Sequence, residues 1–421
     1  MIRYYNALIL MPDQSLLNGE LVTDGSVISY IGKEKKEGLT FEREINLNGN
    51  LIIPAFKNAH THSAMTFLRS YADDLPLNEW LFNKVFPLEA KLTADDIYLF
   101  TKIAVLEYLT SGISTSFDMY FEPEAYVQAN TEYGFRTVLC GAVSGEAKNA
   151  EKLEKRYNKF NGISPLISYK LGFHAEYTAS EELLDAVGAL AKKYKAPVFM
   201  HNSETESETE NCIKKYGKTP TALFESKGIF DYGGGGFHCV YLNDNDMDIF
   251  VKRGLFAVTC PASNAKLASG IAPLTRMMKK GVKIAMGTDG PASNNCLDMF
   301  REMFLATALQ KIAQKDASAL DGAEVLKMAT SNGALALGLD SCDVLAVGKQ
   351  ADLAVIDMSA PNMQPVSNVV KNIVYSGSKS NIKMTVVAGR ILFENGVFNI
   401  NDDIEKLYHD ANVRKEEIIR S

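Results

Sequence analysis

Leu51-Ile52-Ile53-Pro54-Ala55-Phe56-Lys57-Asn58-Ala59-His60-Thr61-His62 is the stretch on which the reading of the whole chain turns. The apolar run from Leu51 to Ile53 reads as a buried strand, and two histidines one residue apart follow at its carboxyl end. In extended backbone, residues i and i+2 point to the same side. The two imidazoles then stand side by side and can share one metal ion. Alone, His-x-His is more often a chance pair of loop histidines, so its weight depends on what the rest of the chain supplies.

Downstream, apolar strand candidates at 51–59, 113–120, 135–143, 167–174, 197–202, 236–241, 255–260 and 282–288 alternate with amphipathic helices. Thr93-Ala94-Asp95-Asp96 resembles a capping box with Asp in place of Glu, and opens a helix that Gly112 closes. Ser180 caps another, with Leu183, Leu184, Val187, Leu190 and Ala191 on one face. Later helices are predicted over 244–253, 297–314 and 322–337. Eight strands alternating with helices predict an α/β fold of the (β/α)8 TIM-like barrel type. On pattern alone a doubly wound sheet is the alternative.

The chain ends read differently. Asp24-Gly25 between apolar runs, and Glu394-Asn395-Gly396 between Thr385–Phe393 and Val397-Phe398, are hairpin signals. Neither end is long enough to bury a good core alone. The economical division joins 1–53 and 343–400 as one small β-sandwich domain, with the barrel over 54–342 inserted between them. A charged terminal helix follows over 401–421.

Composition narrows the function. The 421 residues carry a net charge of −7 with interspersed signs, so no basic stripe points to nucleic acid. No apolar run approaches a membrane span, and Met1-Ile2-Arg3-Tyr4-Tyr5-Asn6 has no signal-peptide organisation. The six cysteines are scattered without CxxC spacing, which predicts a reduced, cytoplasmic setting and no disulfide framework. Homo-oligomerisation stays open.

Five of the six histidines, His60, His62, His174, His201 and His238, fall at or near the predicted carboxyl ends of barrel strands. That face carries the active site in such barrels. His409 lies in the charged tail and reads as a surface residue. Asp289, in Gly287-Thr288-Asp289-Gly290, brings a carboxylate to the same mouth. Three imidazoles and a carboxylate suit one divalent ion with an open position for water. Zn²⁺ is the first choice, with Fe²⁺ and Mn²⁺ as alternatives. Glu204, three residues after His201, can reach a metal-bound water without binding the metal. The rest of the acidic run Glu204–Glu210 reads as a solvated face.

With these motifs in place the chain resembles the amidohydrolase superfamily, in the branch of 5-methylthioadenosine/S-adenosylhomocysteine deaminases. The likeness rests on Asn58-Ala59-His60-Thr61-His62, Leu68-Arg69, Ala72–Leu77, Trp80-Leu81 and His201-x-x-Glu204. It extends to Phe237–Val240, Pro261-Ala262-Ser263-Asn264-x-Lys266-Leu267, Gly287–Asn295 and Gly348–Leu353. It implies a distorted barrel flanked by a β-sandwich, and a mononuclear site with His60, His62, His201 and Asp289 as ligands. Binuclear relatives use a carboxylated lysine near the fourth strand; Lys170 lies too early there. By the same resemblance His238 orients the attacking water and Glu204 and Asp289 move protons. Glu89 accepts hydrogen bonds from the ribose hydroxyls, and His174 sits near the sugar or purine. Trp80 and Leu75 line the purine pocket.

The implied reaction is hydrolytic deamination of an adenine nucleoside at C6. The arginines expected to grip the amino-acid carboxylate of S-adenosylhomocysteine match Cys140 and the neighbourhood of Lys148 and Asn149. Neither Cys nor Lys replaces a planar Arg fork. A small neutral 5′ group is therefore favoured: 5′-methylthioadenosine, 5′-deoxyadenosine or adenosine, with S-adenosylhomocysteine left to Lys148. Alternatives are a guanine, cytosine or pterin deaminase, a triazine hydrolase (disfavoured by Glu204), or a metal-bearing relative that has lost catalysis.

Overall fold

The computed structural model describes residues 1–421, the side chain of Asn78 excepted. Eight parallel strands follow one another in chain order: Phe56–Thr61, Ile113–Met119, Arg136–Cys140, Ile167–Gly172, Val198–Asn202, Gly234–His238, Phe256–Thr259 and Lys283–Met286. Every residue of the first, second, third, fifth and sixth strands is buried. Helices between the strands cover them, as a parallel sheet requires. The helix Glu181–Tyr194 shows how. Ser180 Oγ accepts from the Leu183 N–H at 3.2 Å, and the face with Leu183, Leu184, Val187, Leu190 and Ala191 is buried. Each such leucine contributes about 1.5–3 kcal/mol by leaving water.

The seam between the last and first strands is where the barrel is distorted. In place of a ladder, Asp289 N donates to His60 O at 3.0 Å, Thr288 N to Asn58 Oδ1 at 2.9 Å, and Asn58 Nδ2 to Thr288 Oγ1 at 2.7 Å. The backbones come so close that a Cβ on Gly287 would lie 2.6 Å from His60 N. The seam thus fixes Asp289 beside the His60-Thr61-His62 segment.

Both chain ends enter one nine-stranded sheet, ordered Val397–Phe398, Arg390–Glu394, Ile382–Val387, Leu353–Ile356, Leu51–Pro54, Ile2–Leu10, Leu16–Asp24 and Val27–Gly32, with Arg43–Asn46 pairing Ile2–Leu10. It curls on itself. Ile28 N donates to Lys349 O and Ala351 N to Ser26 O, which ties the far edge to the segment before Leu353. The enclosed core includes Tyr4, Ile9, Leu21, Ile52, Leu353 and Val386.

Two expectations change. The apolar run 51–59 is not one strand: Leu51–Pro54 belongs to the small sheet and Phe56–Thr61 to the barrel. The partner changes at Ala55, whose N–H goes to Asp352 O, while Phe56 N goes to Gly112 O. The helix predicted over 322–337 is two, Gly322–Ala329 and Ser331–Leu337. Thr330 leaves helical backbone between them and donates its hydroxyl to Leu326 O, and Asn332 then bonds Ile284 O. The terminal helix Ile404–Arg420 is docked by buried Leu407 and Ile418 and by Arg414 on Asp96. Among the described residues no helix is long and apolar enough to cross a membrane.

Candidate metal centre and active site

The barrel register delivers four imidazoles to one point. His60 lies near the end of the first strand and His62 just past it, His201 lies in the fifth, and His238 closes the sixth with a left-handed backbone. Ring centroids of His60 lie 4.8 Å from His62 and 4.9 Å from His201. Asp289 Oδ1 sits 3.5 Å from His60 Nε2 and 3.3 Å from His62 Nε2. Donor atoms of His60, His62 and His201, and of His60, His238 and Asp289, lie within 4.8 Å of one another.

Tautomers are set from behind. His62 Nδ1–H donates to Met119 O at 2.5 Å, His201 Nδ1–H to His174 O at 2.8 Å, and His238 Nδ1–H to Asn264 Oδ1 at 2.8 Å. A carbonyl can only accept, so each Nδ1 carries the proton and each Nε2 presents its lone pair to the centre. His60 is fully buried, stacked on Phe237, and has no hydrogen-bond partner for either nitrogen among the described residues. A buried imidazole without partners is costly unless a ligand takes its lone pair. The inward lone pairs of His62 and His201, the His60 ring and the Asp289 carboxylate together fit a divalent cation.

The electrostatics agree. Burial pushes His60 down to about 3. At His62 burial opposes charge, but hydrogen bonding to Asp289 and the charge of Asp289 outweigh it and raise the ring to about 9. Burial would raise Asp289, yet the histidines hold it well below the usual carboxylate range. The centre therefore holds an anion that attracts a proton or a cation. Asp289 Oδ2 also accepts from Ser263 Oγ at 2.5 Å and Ser293 Oγ at 2.7 Å.

Beside this cluster opens a cavity of about 880 Å³, part of it open to solvent. Glu204 is in its wall, buried, with Ser269 Oγ donating to Oε1 at 3.2 Å and His238 Nε2 3.9 Å from Oε2. Burial raises the Glu204 carboxyl despite the opposing charge of His238. Across the cavity Glu89 is buried too, and Tyr120 donates to its Oε1 at 2.5 Å. Burial takes Glu89 up to about 7 against that hydrogen bond. Trp80, Leu81 and Phe86 form the roof on a short π-helical turn, Trp80–Val85, that runs into Phe86–Glu89. Such turns are rare and often sit at functional sites. His174 lines the wall between Tyr177 and His201.

Three residues considered for the site lie elsewhere. Leu75 lines an outer depression with Asp74 and Thr205, and it is Leu77 that enters the cavity, because the helical turn beginning there carries the chain inward. Cys140 points into the barrel core; Ala142 and Ser144, on the same parity but past the strand end, reach the cavity. Lys148 is exposed, paired with Glu146, and not in the wall. Residues that the sequence did not assign take clear positions. Ser263 and Asn264 hold Asp289 and His238, and Lys266 ties Asp73 of the roof loop at 2.5 Å. Glu208, read as solvated, is buried behind Glu204. Its Thr205-x-x-Glu208 spacing is a capping-box signal that could have singled it out.

Comparison with known proteins adds the lineage. Residues 51–392 match the model of the Amidohydrolase family. The chain is 38% identical over 424 residues to a 5-methylthioadenosine/S-adenosylhomocysteine deaminase of Thermoanaerobacter pseudethanolicus, covering 98% of each chain. It is 39% identical over 395 residues to the protein of the same name from Desulforudis audaxviator, covering 92% of each. Among solved structures, a zinc-bound adenosine deaminase from Xanthomonas campestris superposes with a TM-score of 0.92 at 29% identity, covering 100% of this chain and 99% of that one. The atrazine chlorohydrolase TrzN of Arthrobacter aurescens, at 20% identity and TM-score 0.91, shares the fold. With this extent of match across barrel and small sheet, the chain belongs to the amidohydrolase family.

Proposed function

We propose that the chain is a divalent-metal-dependent aminohydrolase that deaminates an adenine nucleoside at C6 and releases ammonia. One observation carries the reading: ring nitrogens of His60, His62 and His201 lie within 4.8 Å of one another, and Asp289 Oδ1 lies 3.5 Å from His60 Nε2 and 3.3 Å from His62 Nε2, beside a cavity whose wall includes Glu204. The names of the relatives point the same way. His60, His62, His201 and Asp289 would hold the ion. Zn²⁺ is favoured, because three imidazoles and one carboxylate suit it and the Xanthomonas campestris protein carries it.

When bound, the ion lowers the pKa of a water so that a nucleophile is available near neutral pH. The chain does the rest. The Asp289 carboxylate takes a proton from the attacking water. His238 Nε2 hydrogen-bonds the attacking oxygen and keeps it on line. The Glu204 carboxyl gives its proton to the ring nitrogen next to C6 as charge builds there. The Glu204 carboxylate left behind takes up the proton of the new C6 hydroxyl and delivers it to the departing amino group, and the proton held by Asp289 is passed on to restore the Glu204 carboxyl, so adenine nucleoside and water become the 6-oxo nucleoside and ammonia. Glu89, held by Tyr120, offers the ribose diol two acceptor oxygens. Trp80 and Leu81 pack on the purine.

Metal removal supplies one check. A ligand that binds only the folded chain adds about 2.7 kcal/mol when its free concentration is 100 times its Kd. Chelation should lower Tm and abolish ammonia release, and Zn²⁺ should restore both. An unchanged Tm and activity after verified metal removal would count against the centre.

The cavity wall also bears on the 5′ group. Among the described residues it contains Glu89, Glu204 and Asp289 but no Arg or Lys. Past the third strand it presents Ala142 and Ser144, with Phe121 and Tyr177 nearby in the wall. A carboxylate brought there would meet hydroxyl groups but no cation to pair with its charge. The expected result is a preference of roughly 10- to 100-fold in kcat/KM for 5′-methylthioadenosine over S-adenosylhomocysteine. Equal or reversed kcat/KM values would overturn the assignment of a neutral 5′ site.

A further inference from the structure

Glu204 is useful only if its carboxyl points at the reacting ring, and its own backbone is not part of a regular element. It lies between the fifth barrel strand, which ends at Asn202, and the helix Glu206–Tyr216. Ser203 turns the chain through left-handed backbone with φ 53°. That turn sends three successive N–H groups, of Ser203, Glu204 and Thr205, toward the protein interior. One side chain receives them all. Glu208 Oε1 accepts from Ser203 N at 3.0 Å, and Oε2 accepts from Glu204 N at 2.7 Å and Thr205 N at 3.4 Å. Thr205 Oγ1 in return accepts from Glu208 N at 3.1 Å, closing a capping box.

Glu208 is 6% exposed, whereas Glu206 and Glu210 in the same run are exposed. It does not line the cavity, so it does not touch substrate. Its geometry demands a carboxylate. Each oxygen faces N–H donors, and an amide would turn its own NH₂ toward one of them. The other end of Glu204 is fixed separately by Ser269.

We propose that Glu208 is a positioning residue that holds the 203–205 backbone and thereby aims the Glu204 carboxyl into the cavity. The proposal rests on the reading of Glu204 as the proton carrier. A shift of about 1 Å at a reacting group can cost on the order of 10²-fold in rate. Glu208→Gln should therefore lose about 10²-fold in kcat for an adenine nucleoside, with KM and metal content close to those of the parent chain.

The decisive measurement is a double-mutant cycle on the metal-loaded full chain, using Glu204→Gln, Glu208→Gln and the pair together. If Glu208 acts through Glu204, the pair is no slower than Glu204→Gln alone. Losses that multiply in the pair, or a Glu208→Gln loss lying wholly in KM or metal content, overturn the proposal. Should Glu208→Gln not fold, Glu208→Asp takes its place in the cycle: it keeps the charge but is too short to reach all three N–H groups. A normal rate in Glu204→Gln alone is a different failure, which removes the role of Glu204 and this inference with it.

Discussion

Replacing Glu204 with glutamine is expected to leave the metal complement intact and to slow deamination by about 10²- to 10⁴-fold, the usual worth of a positioned acid–base group. Glutamine has the same shape and can still accept from Ser269 Oγ, which now meets Glu204 Oε1 at 3.2 Å. It cannot donate and regain a proton. No nitrogen of His60, His62 or His201 contacts Glu204, so the ion should bind as before. Burial raises the carboxyl of Glu204, which favours the protonated form needed to meet a ring nitrogen as it gains charge. Metal analysis alongside single-turnover ammonia release separates the outcomes. A fast variant removes Glu204 from the mechanism; a metal-free variant moves it into the ligand set.

Much of this site is legible in sequence because a barrel turns linear position into depth. Residues at the carboxyl ends of parallel strands meet at one mouth, so His60, His62, His201, His238 and Asp289 could be grouped before any coordinates. What period and propensity miss is a change of partner within one apolar run. Leu51–Pro54 and Phe56–Thr61 are equally buried, and only hydrogen bonding at Ala55 separates them. The same limit explains Leu75 and Leu77, where a turn of helix decides which leucine faces inward. Cys140 has the correct parity but the wrong depth, since the cavity begins beyond its strand. Tyr120 closes the predicted strand 113–120, but that position does not mark it as a partner of Glu89 among 18 tyrosines; only the fold places the two together.

The second large effect is expected far from the metal. Asp352, in the Gly348–Leu353 segment that resembles the family, lies at the start of the small sheet with its carboxylate fully buried. Oδ2 accepts from Arg136 Nε at 3.0 Å and lies 3.5 Å from Lys57 Nζ; Oδ1 accepts from Arg136 Nη2 at 3.1 Å and from Ala388 N at 2.7 Å. Arg136 opens the third barrel strand and Lys57 lies in the first. One anion thus joins the small sheet to the barrel at the end opposite the metal. Burial would raise Asp352, but the charges of Lys57 and Arg136 hold it at about 2. Asp352→Asn would leave two buried cations without their counter-charge and should cost roughly 3–5 kcal/mol, the usual penalty for breaking a buried pair. Urea unfolding at neutral pH reads this as a lower midpoint. The pH dependence has a definite sign. A carboxylate with a depressed folded pKa contributes stability above its unfolded value, near 3.8, and loses it as pH falls through about 2. The gap between parent and variant should therefore be full above about pH 4 and shrink between 4 and 2. A gap that stays constant through that window would show that Asp352 acts by packing and hydrogen bonding, with no contribution from its charge.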